Sequence, residues 1–324
     1  MNKMKHWLVI LAALCAGAAL PAAAQNVKIT PLGSHDGEFC PLDRAMIFED
    51  ADGTRILYDA GRTVRGAADP RLGKIDAVLL SHVHGDHLGD LHQPSANAGT
   101  CQKPDFSVSV VPNSNTVNIA IAKQAPIIAG GEMNAFFAAK VKSLGGDPGK
   151  LVRLVRFGAQ TMVGKVMVAS VPAVHSNGLP PAFLSKEHAQ QLEANGLTAY
   201  VGPPGGFVLR FSNGLTVYLS GDTGITADQD LVVRGHYKAN LAVMNIGGFP
   251  FTTGPVEATY VVNELVRPNA VIASHANEPA TIDGKVTPNS RTAAFIKSAK
   301  MPVHVPLSGR TMEFDGSGKC VAGC

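Results

Sequence analysis

The chain has 324 residues and carries 28 lysines and arginines against 25 aspartates and glutamates, so its formal net charge is +3 at pH 7. This length is enough for one large domain or two modest ones. No basic stripe or arginine-rich run stands out in the sequence, which argues against a nucleic-acid partner.

The first 24 residues have the pattern of a cleaved secretory signal peptide. Lys3 and Lys5 precede an apolar stretch over residues 7–20, and three alanines follow before Gln25. A retained transmembrane anchor is the alternative, but the apolar stretch is short for a span. We therefore expect a periplasmic or secreted protein with no stable membrane insertion after cleavage. The mature chain, residues 25–324, would have a net charge of +1, because cleavage removes two lysines and no acid.

The first half of the mature chain alternates short apolar strands with polar loops. Strands are predicted over residues 27–32, 44–48, 54–58, 75–80, 107–111, 151–157 and 165–174, and helices over 115–124 and 132–144. Asp52 and Gly53 form the predicted turn between the second and third of these strands. Residues 88–106 are polar and show little periodicity.

The segment 177–205 is rich in proline and breaks this pattern, with one short helix predicted over 185–194. We interpret it as an insertion that forms a lid and sets specificity. Strands follow over residues 207–211, 215–219, 241–246 and 271–274, helices over 255–265 and 288–299, and two short strands at the end. Strands and helices occur in both halves and no linker separates them, which predicts one domain over 25–324 with two sheets and outer helices.

Residues 81–87 contain the densest group of metal-binding side chains in the sequence. His82, His84, Asp86 and His87 follow directly on the apolar run 75–80, which reads as a buried strand. Extended geometry puts His82 and His84 on the same side of the chain. A tight turn at Gly85 would bring Asp86 and His87 round to a second point nearby. One short loop is thus predicted to serve two adjacent metal ions.

Three more strands end at a residue of the metal-binding type. His175, Asp222 and His275 each come just after an apolar run. Alone, His175 could be a buried core histidine and Asp222 an ordinary turn residue. Ligands at the ends of different strands can converge on one edge of a core. Five histidines and two aspartates favour two zinc ions, with iron or manganese as alternatives.

This pattern resembles the metallo-β-lactamase superfamily, whose signature is the His-x-His-x-Asp-His loop followed by a later His, Asp and His. The resemblance implies an α/β (α+β) fold, a four-layer αββα sandwich with a dinuclear site at one edge. It implies that the first metal is bound by His82, His84 and His175 and the second by Asp86, His87 and His275, with Asp222 between them. It also assigns Asp59 to a supporting position behind the loop histidines.

Within the superfamily, the motifs at residues 219–224 and 245–248 are most similar to the L-ascorbate-6-phosphate lactonase branch. The sequence Pro255-Val256-Glu257-Ala258 and the strand before His275 add to that likeness. The chain departs from this branch by its signal peptide, its cysteines and its proline-rich insertion.

Two adjacent metals would lower the pKa of a shared water and so give a hydroxide nucleophile, and Asp86, as the catalytic residue, could orient that water and accept its proton. We therefore predict a metal-dependent hydrolase acting on a small-molecule lactone, β-lactam or related ester or amide. A metal-dependent phosphodiesterase is one alternative, and a non-catalytic periplasmic metal-binding protein is another. The sequence gives no oligomeric state.

The mature chain keeps four cysteines, an even number that suggests disulfides in an exported protein. Cys320 and Cys324 could close a small loop, leaving Cys40 to pair with Cys101; free thiols or metal ligands are the alternatives. Among the weaker candidates, His35 is either a substrate contact or a solvated loop residue. Phe249 and Phe251 could wall a substrate pocket, although aromatic residues in such places are more often core.

Overall fold

The computed structural model describes residues 26–324, and two β-sheets form its centre. The first sheet has eight strands, in the order Val152–Leu154, Ile127–Ala129, Ala77–Leu79, Arg55–Tyr58, Met46–Glu49, Val27–Pro31, Met312–Phe314 and Cys320–Ala322. The second sheet has seven, in the order Gln160–Val163, Val166–Pro172, Gly205–Arg210, Thr216–Leu219, Leu241–Asn245, Ala270–Ser274 and Val303–His304. The predicted signal peptide, residues 1–24, lies outside the described residues.

The central strands of both sheets bury both of their faces, whereas outer strands such as Gln160–Val163 and Cys320–Ala322 are partly exposed. In the second sheet, Leu241 and Val243 belong to an apolar core that also holds residues of the first sheet, whereas Ala242 and Met244 belong to a core shared with helices. In the first sheet, Leu79 faces the common core and Val78 the opposite side. Successive strand residues point to opposite faces, so each sheet packs against the other sheet and against helices. The predicted αββα sandwich follows from this packing.

Helices cover the outer faces of both sheets. They span Gly85–Leu88, Asn115–Lys123, Met133–Ser143, Pro148–Leu151, Lys186–Ala194, Pro255–Tyr260 and Arg291–Ser298, with a 3₁₀ turn at Pro181–Phe183 and π-helical segments at Gln229–Tyr237 and Val261–Val266. Ser114, Ser185 and Ser290 cap three of these helices by accepting a hydrogen bond from a backbone N–H in the first turn. No helix in the described part of the chain is long and apolar enough to cross a membrane.

Four strand pairs lie outside the two main sheets. They join Leu91–His92 to Val108–Ser109, Gly99–Thr100 to Lys103–Pro104, Gly178–Leu179 to Ala199–Tyr200, and Thr281–Ile282 to Lys285–Val286. The stretch 88–106 therefore contains short pairs where the sequence predicts irregular structure. The strand predicted over 107–111 is reduced to Val108–Ser109.

Parallel strands in each sheet bring their carboxyl ends to one edge of the sandwich. In the first sheet these are Arg55–Tyr58, Ala77–Leu79, Ile127–Ala129 and Val152–Leu154. In the second they are Thr216–Leu219, Leu241–Asn245, Ala270–Ser274 and Val303–His304. Residues that follow such strands therefore meet at this edge.

Two disulfides join the cysteine pairs that the sequence predicts. Cys40 is bonded to Cys101, with a Cα–Cα distance of 5.1 Å, and Cys320 is bonded to Cys324, at 6.4 Å. The first bond ties the loop that precedes the strand Met46–Glu49 to the short pairs of the 88–106 stretch.

Candidate metal centre

The structure brings together the seven side chains that the sequence singles out as metal ligands. They come from four loops at the carboxyl edge: His82, His84, Asp86 and His87 after the strand Ala77–Leu79, His175 after Val166–Pro172, Asp222 after Thr216–Leu219, and His275 after Ala270–Ser274.

Glycines shape two of these loops, for different reasons. Gly85 begins the short helix Gly85–Leu88 and has ordinary dihedral angles, but a Cβ there would collide with the carboxylate of Asp90. The structure thus requires glycine at this position for close packing, where the sequence suggested a tight turn. Gly221 has a φ of +59° and turns the chain just before Asp222, a conformation that glycine adopts most readily.

Three histidines form the first donor group. Nε2 of His175 lies 3.2 Å from Nδ1 of His84. With His82 they present ligand atoms that all lie within 4.8 Å of one another. Three neutral imidazole nitrogens at such a spacing are the donor set that zinc and similar transition metals prefer.

Asp86, His87 and His275 form the second group, whose ligand atoms also lie within 4.8 Å of one another. Oδ2 of Asp86 is 3.6 Å from Nε2 of His87 and 3.8 Å from Nε2 of His275. A carboxylate between two imidazoles is a mixed oxygen and nitrogen donor set.

Asp222 lies between the two groups. Its Oδ2 is 2.9 Å from Nε2 of His275 in the second group, and 3.8 Å from Nε2 of His175 in the first. Oδ2 also lies 4.0 Å from Nε2 of His82, and Oδ1 lies 3.4 Å from Nε2 of His87. One carboxylate therefore reaches donors of both groups.

Several buried ligand atoms have no hydrogen-bond partner among the described residues, and this tests whether the site fits a metal. Nε2 of His82, Nε2 of His87 and Oδ1 of Asp222 are all in this condition. A buried polar atom left unpaired costs about 1–3 kcal/mol. Because these atoms converge from separate loops, bound cations would satisfy them together. The residues fit a two-metal centre.

The electrostatics of the cluster also suit cations. Burial, as the first cause, lowers the pKa values of His82, His84, His175 and His275, which favours the neutral imidazole that binds metal. His87 differs: burial opposes its charge, but the carboxylates of Asp222, Asp86 and Asp59 raise its pKa to about 10. Binding of a cation at His87 must therefore displace a proton.

Asp59 organises the ligand loop from behind. Its Oδ2 is 2.7 Å from Nδ1 of His87 and accepts a hydrogen bond from Oγ of Ser81 at 2.7 Å, while its Oδ1 accepts one from the backbone N–H of Ser81 at 2.9 Å. Oγ of Ser81 in turn lies 3.0 Å from Nδ1 of His82. These contacts engage the inner nitrogen of each ring and leave Nε2 free for a ligand.

Arg44 is a site residue that the sequence analysis missed. Its side chain is 2% exposed; Nε donates to Oδ2 of Asp86 at 2.9 Å, and Nη2 forms an ion-pair contact with the same oxygen at 2.8 Å. Nη2 also donates to Oδ1 of Asn277 at 2.7 Å. Burial alone would raise the pKa of Asp86, but Arg44 and then His87 hold it far below its usual range. The only sequence signal was an arginine at the start of a strand that is otherwise apolar.

Other polar candidates have mostly structural partners. Nδ1 of His35 is 3.1 Å from Oγ of Ser34, and nothing in the described residues joins it to the cluster. Nδ1 of His92 bonds the backbone oxygen of Gln93 at 2.7 Å. Glu278 accepts hydrogen bonds from the first residues of the helix Arg291–Ser298. Asn277, which follows His275 by two residues, reaches the site through its hydrogen bond with Arg44.

Phe249 and Phe251 are exposed, so core positions for them are ruled out. They are 73% and 79% exposed, in a turn that lies next to the metal centre. The backbone oxygen of Phe251 is 3.2 Å from Nδ1 of His175. The carbonyl thus engages the ring nitrogen that faces away from the first donor group.

The insertion 177–205 is anchored beside the ligand loop. Oδ1 of Asn177 accepts a hydrogen bond from the backbone N–H of Val83, and its Nδ2 donates to the backbone oxygen of Gly202, both at 2.8 Å. Leu179 and Phe183 are buried against the helix Met133–Ser143. The helix Lys186–Ala194 buries none of its residues.

Comparison with known proteins gives consistent matches. The profile of the family described as "Beta-lactamase superfamily domain" matches residues 54–276. The chain is 32% identical over 250 residues to a UPF0173 metal-dependent hydrolase of Cupriavidus necator, covering 75% of this chain and 71% of that protein. It is 29% identical over 243 residues to a UPF0173 metal-dependent hydrolase of Cupriavidus metallidurans, with the same coverage of 75% and 71%.

Solved structures show the same fold. Igni18, a metallo hydrolase from Ignicoccus hospitalis, aligns with a TM-score of 0.57 and 21% identity over 90% of this chain and 99% of its own. The metallo-beta-lactamase fold protein YhfI from Bacillus subtilis aligns with a TM-score of 0.54 and 14% identity, over 89% and 99%.

Proposed function

This chain belongs to the beta-lactamase superfamily of metal-dependent hydrolases, and we propose that it uses two zinc ions to hydrolyse a small-molecule lactone, β-lactam or related ester or amide. The observation that carries the proposal is the shared carboxylate of Asp222. It lies 2.9 Å from a donor of the second group and 3.8 Å from a donor of the first, so both metal positions would be close enough to act on one bond.

The candidate ligands divide into two sets, one for each metal ion. His82, His84 and His175 would hold the first ion. Asp86, His87 and His275 would hold the second, with Asp222 contacting both. Ions bound there would lower the pKa of a coordinated water toward neutrality and polarise the oxygen of the bond to be cleaved.

Asp86 has a different part in the reaction from the histidines. Arg44 fixes its Oδ2 from two nitrogens, so the carboxylate keeps one position as substrate enters. We assign Asp86 to orienting the attacking water, since a carboxylate whose pKa Arg44 holds far below its usual range is a weak base. Asp59 keeps the ring of His87 in place through the bond to Nδ1.

The set of seven candidate ligands favours zinc, because histidine nitrogens outnumber carboxylates and the set contains no methionine or cysteine. Iron and manganese are the alternatives, and metal analysis separates the three.

We further propose that the mature protein spans residues 25–324 as one domain and acts in the periplasm or outside the cell. The amino-terminal pattern with Lys3 and Lys5 supports export, and two disulfides suit an oxidising compartment. The insertion 177–205 would act as the lid, since Asn177 joins its two ends to the ligand loop.

The test is hydrolysis of a substrate panel by the zinc-loaded protein: a lactone, a β-lactam and bis-p-nitrophenyl phosphate, under equal conditions. We expect turnover of a carbonyl substrate, its loss in EDTA, and its return on adding zinc. His84→Ala should abolish turnover and remain folded, because His84 lies at the edge of the sandwich.

His236→Ala is the matched control, since His236 is exposed on the π-helical segment Gln229–Tyr237 and should keep full activity. Turnover of the phosphodiester alone would replace the proposal with a phosphodiesterase. Two bound zinc ions with no turnover of any substrate would favour a non-catalytic metal-binding protein.

A further inference from the structure

Four exposed apolar side chains lie on the loops at the edge of the metal centre. Val174 is 55% exposed, Ile225 46%, Phe249 73% and Phe251 79%. We call these four residues the apolar rim. Single exposed apolar residues are common on proteins, but a group of them beside a functional site marks a binding surface.

Backbone hydrogen bonds hold the three loops of the apolar rim together. The backbone N–H of Val174 donates to Oγ1 of Thr223 at 3.0 Å, and that of Gly224 donates to the backbone oxygen of Val174 at 2.9 Å. The backbone N–H of Thr253 donates to the oxygen of Thr223 at 3.0 Å. Thr223 is fully buried at the centre of this arrangement.

The two phenylalanines project from a closed turn. The backbone N–H groups of Phe251 and Thr252 both donate to the oxygen of Gly248, at 2.7 and 3.0 Å, and the N–H of Gly248 donates to Thr253 at 3.2 Å. The turn is thus fixed internally while both aromatic side chains face solvent. Holding apolar surface in water is unfavourable, so this geometry requires a reason.

The apolar rim is continuous with the metal centre. Val174 directly precedes His175, Phe251 contacts the His175 ring through its backbone oxygen at 3.2 Å, and Ile225 lies three residues after Asp222. Any molecule that touches the apolar rim therefore lies close to the bond that the metal centre would act on. Ligand pockets commonly combine apolar walls with a few polar groups of this kind.

We propose that the apolar rim binds an apolar substituent, such as an alkyl chain or aromatic group, of the substrate that the metal centre hydrolyses. This inference rests on the proposed hydrolytic function and names its substrate class. The neighbouring substrate carbonyl would face the two donor groups, while the substituent is removed from water against Phe249, Phe251, Val174 and Ile225.

A series of p-nitrophenyl esters with acetate, butyrate, hexanoate and octanoate chains tests the inference. For the zinc-loaded wild type we expect kcat/KM to rise by about two- to fourfold per added methylene, which is the gain from burying each group. In the double variant Phe249→Ser, Phe251→Ser the ratio of octanoate to acetate kcat/KM should fall at least tenfold. Serine keeps the backbone oxygen that engages His175, and bound zinc is measured in parallel to show that the centre is intact.

Met162→Ser is the matched control. Met162 is 53% exposed and lies beside the hairpin turn at the opposite end of the strand that leads to His175. It should keep the wild-type ratio.

The outcomes separate the inference from the proposed function. If the wild type hydrolyses neither these esters nor the lactone and β-lactam, the proposed function fails. If it hydrolyses them with a ratio that is flat, or that the double variant retains, the inference fails.

Two further measurements address other occupants of the apolar rim. Sedimentation that shows a wild-type dimer and a monomeric double variant, with the ratio unchanged, would overturn the inference in favour of a second copy of the chain. Binding to phosphatidylcholine–phosphatidylglycerol vesicles that the double variant loses, again with the ratio unchanged, would overturn it in favour of a lipid surface.

Discussion

Replacing Arg44 with methionine should destabilise the protein strongly without metal and only slightly with it. Methionine keeps an unbranched chain of similar length and removes the charge. The change eliminates two hydrogen bonds, to Asp86 at 2.9 Å and to Asn277 at 2.7 Å, together with the ion-pair contact of Nη2 with Asp86 at 2.8 Å. It leaves the Asp86 carboxylate next to His87 and His275 without its strongest partner.

The magnitude follows from the burial of the pair. Removing one partner of a buried ion pair costs about 3–5 kcal/mol, and the 20% exposure of the Asp86 side chain places this pair at about 3 kcal/mol. A bound cation would neutralise Asp86 in place of Arg44. The loss would then shrink to about 1 kcal/mol, the usual net value of a hydrogen bond. The difference of about 2 kcal/mol corresponds to metal binding about 30-fold tighter in Arg44→Met.

Urea unfolding in EDTA and in saturating zinc measures both losses, and a chelator competition measures the zinc affinity. Arg71→Met is the control, because Arg71 pairs with Asp69 at 2.7 Å and its hydrogen bonds go to Asp69, Gly33 and Thr63, with none to a candidate metal ligand among the described residues. It should lose the same stability in both conditions. Equal losses for Arg44→Met in EDTA and zinc, or weaker zinc binding, would refute the reasoning.

Three further predictions concern the pH dependence, the loop support and the disulfide. Burial raises the pKa of Asp69, but the Arg71 guanidinium and the backbone N–H groups of Arg65 and Arg71 lower it from 3.8 to about 2. Asp69→Asn should therefore cost about 2 kcal/mol at pH 7. This difference should vanish as the pH falls through 2, because the folded pKa lies below the unfolded one; an unchanged difference in acid unfolding curves would contradict it. Asp59→Ala should weaken zinc binding about 10- to 100-fold by releasing His87, with isothermal titration as the measurement and an unchanged affinity as the opposing result. Cys40→Ser should lower stability by about 3–4 kcal/mol, because the bond to Cys101 closes a loop with a sequence separation of 61; an unchanged melting temperature would show that the bond does not form.

The sequence was most informative where one local pattern implied one geometry. A buried parallel strand reads as a continuous apolar run, and a residue just after it must lie at the carboxyl edge of its sheet. Because this holds for Asp222 and His275 separately, their positions could be predicted without knowing how the two sheets pack. The position of Asp59 behind the ligand loop, by contrast, was implied by the family resemblance.

Some elements are too short to show a recognisable pattern in the sequence. The strand Ile127–Ala129 has three residues after Pro126, and Gln160–Val163 begins with two polar residues. Both exist because a neighbouring strand supplies the hydrogen bonds. The π-helical segment Gln229–Tyr237 was also missed, since it buries only three of its nine residues.

Residues that act through long-range contacts could not be inferred. Arg44 meets Asp86 42 positions later and Asn277 233 positions later, and no local pattern records either contact. For Phe249 and Phe251 the sequence left a pocket wall and a core position both open, because apolar character usually means burial, whereas a turn closed by its own backbone holds them in solvent.

Seven side chains from four loops are expected to hold two metal ions at one edge of the sandwich. The most direct test of this expectation is a crystal structure of the zinc-loaded protein with anomalous data collected at the zinc edge. We expect two anomalous peaks, one among His82, His84 and His175 and the other among Asp86, His87 and His275, with Asp222 reaching both. A single peak, or zinc bound away from these residues, would show that these side chains do not form a two-metal centre.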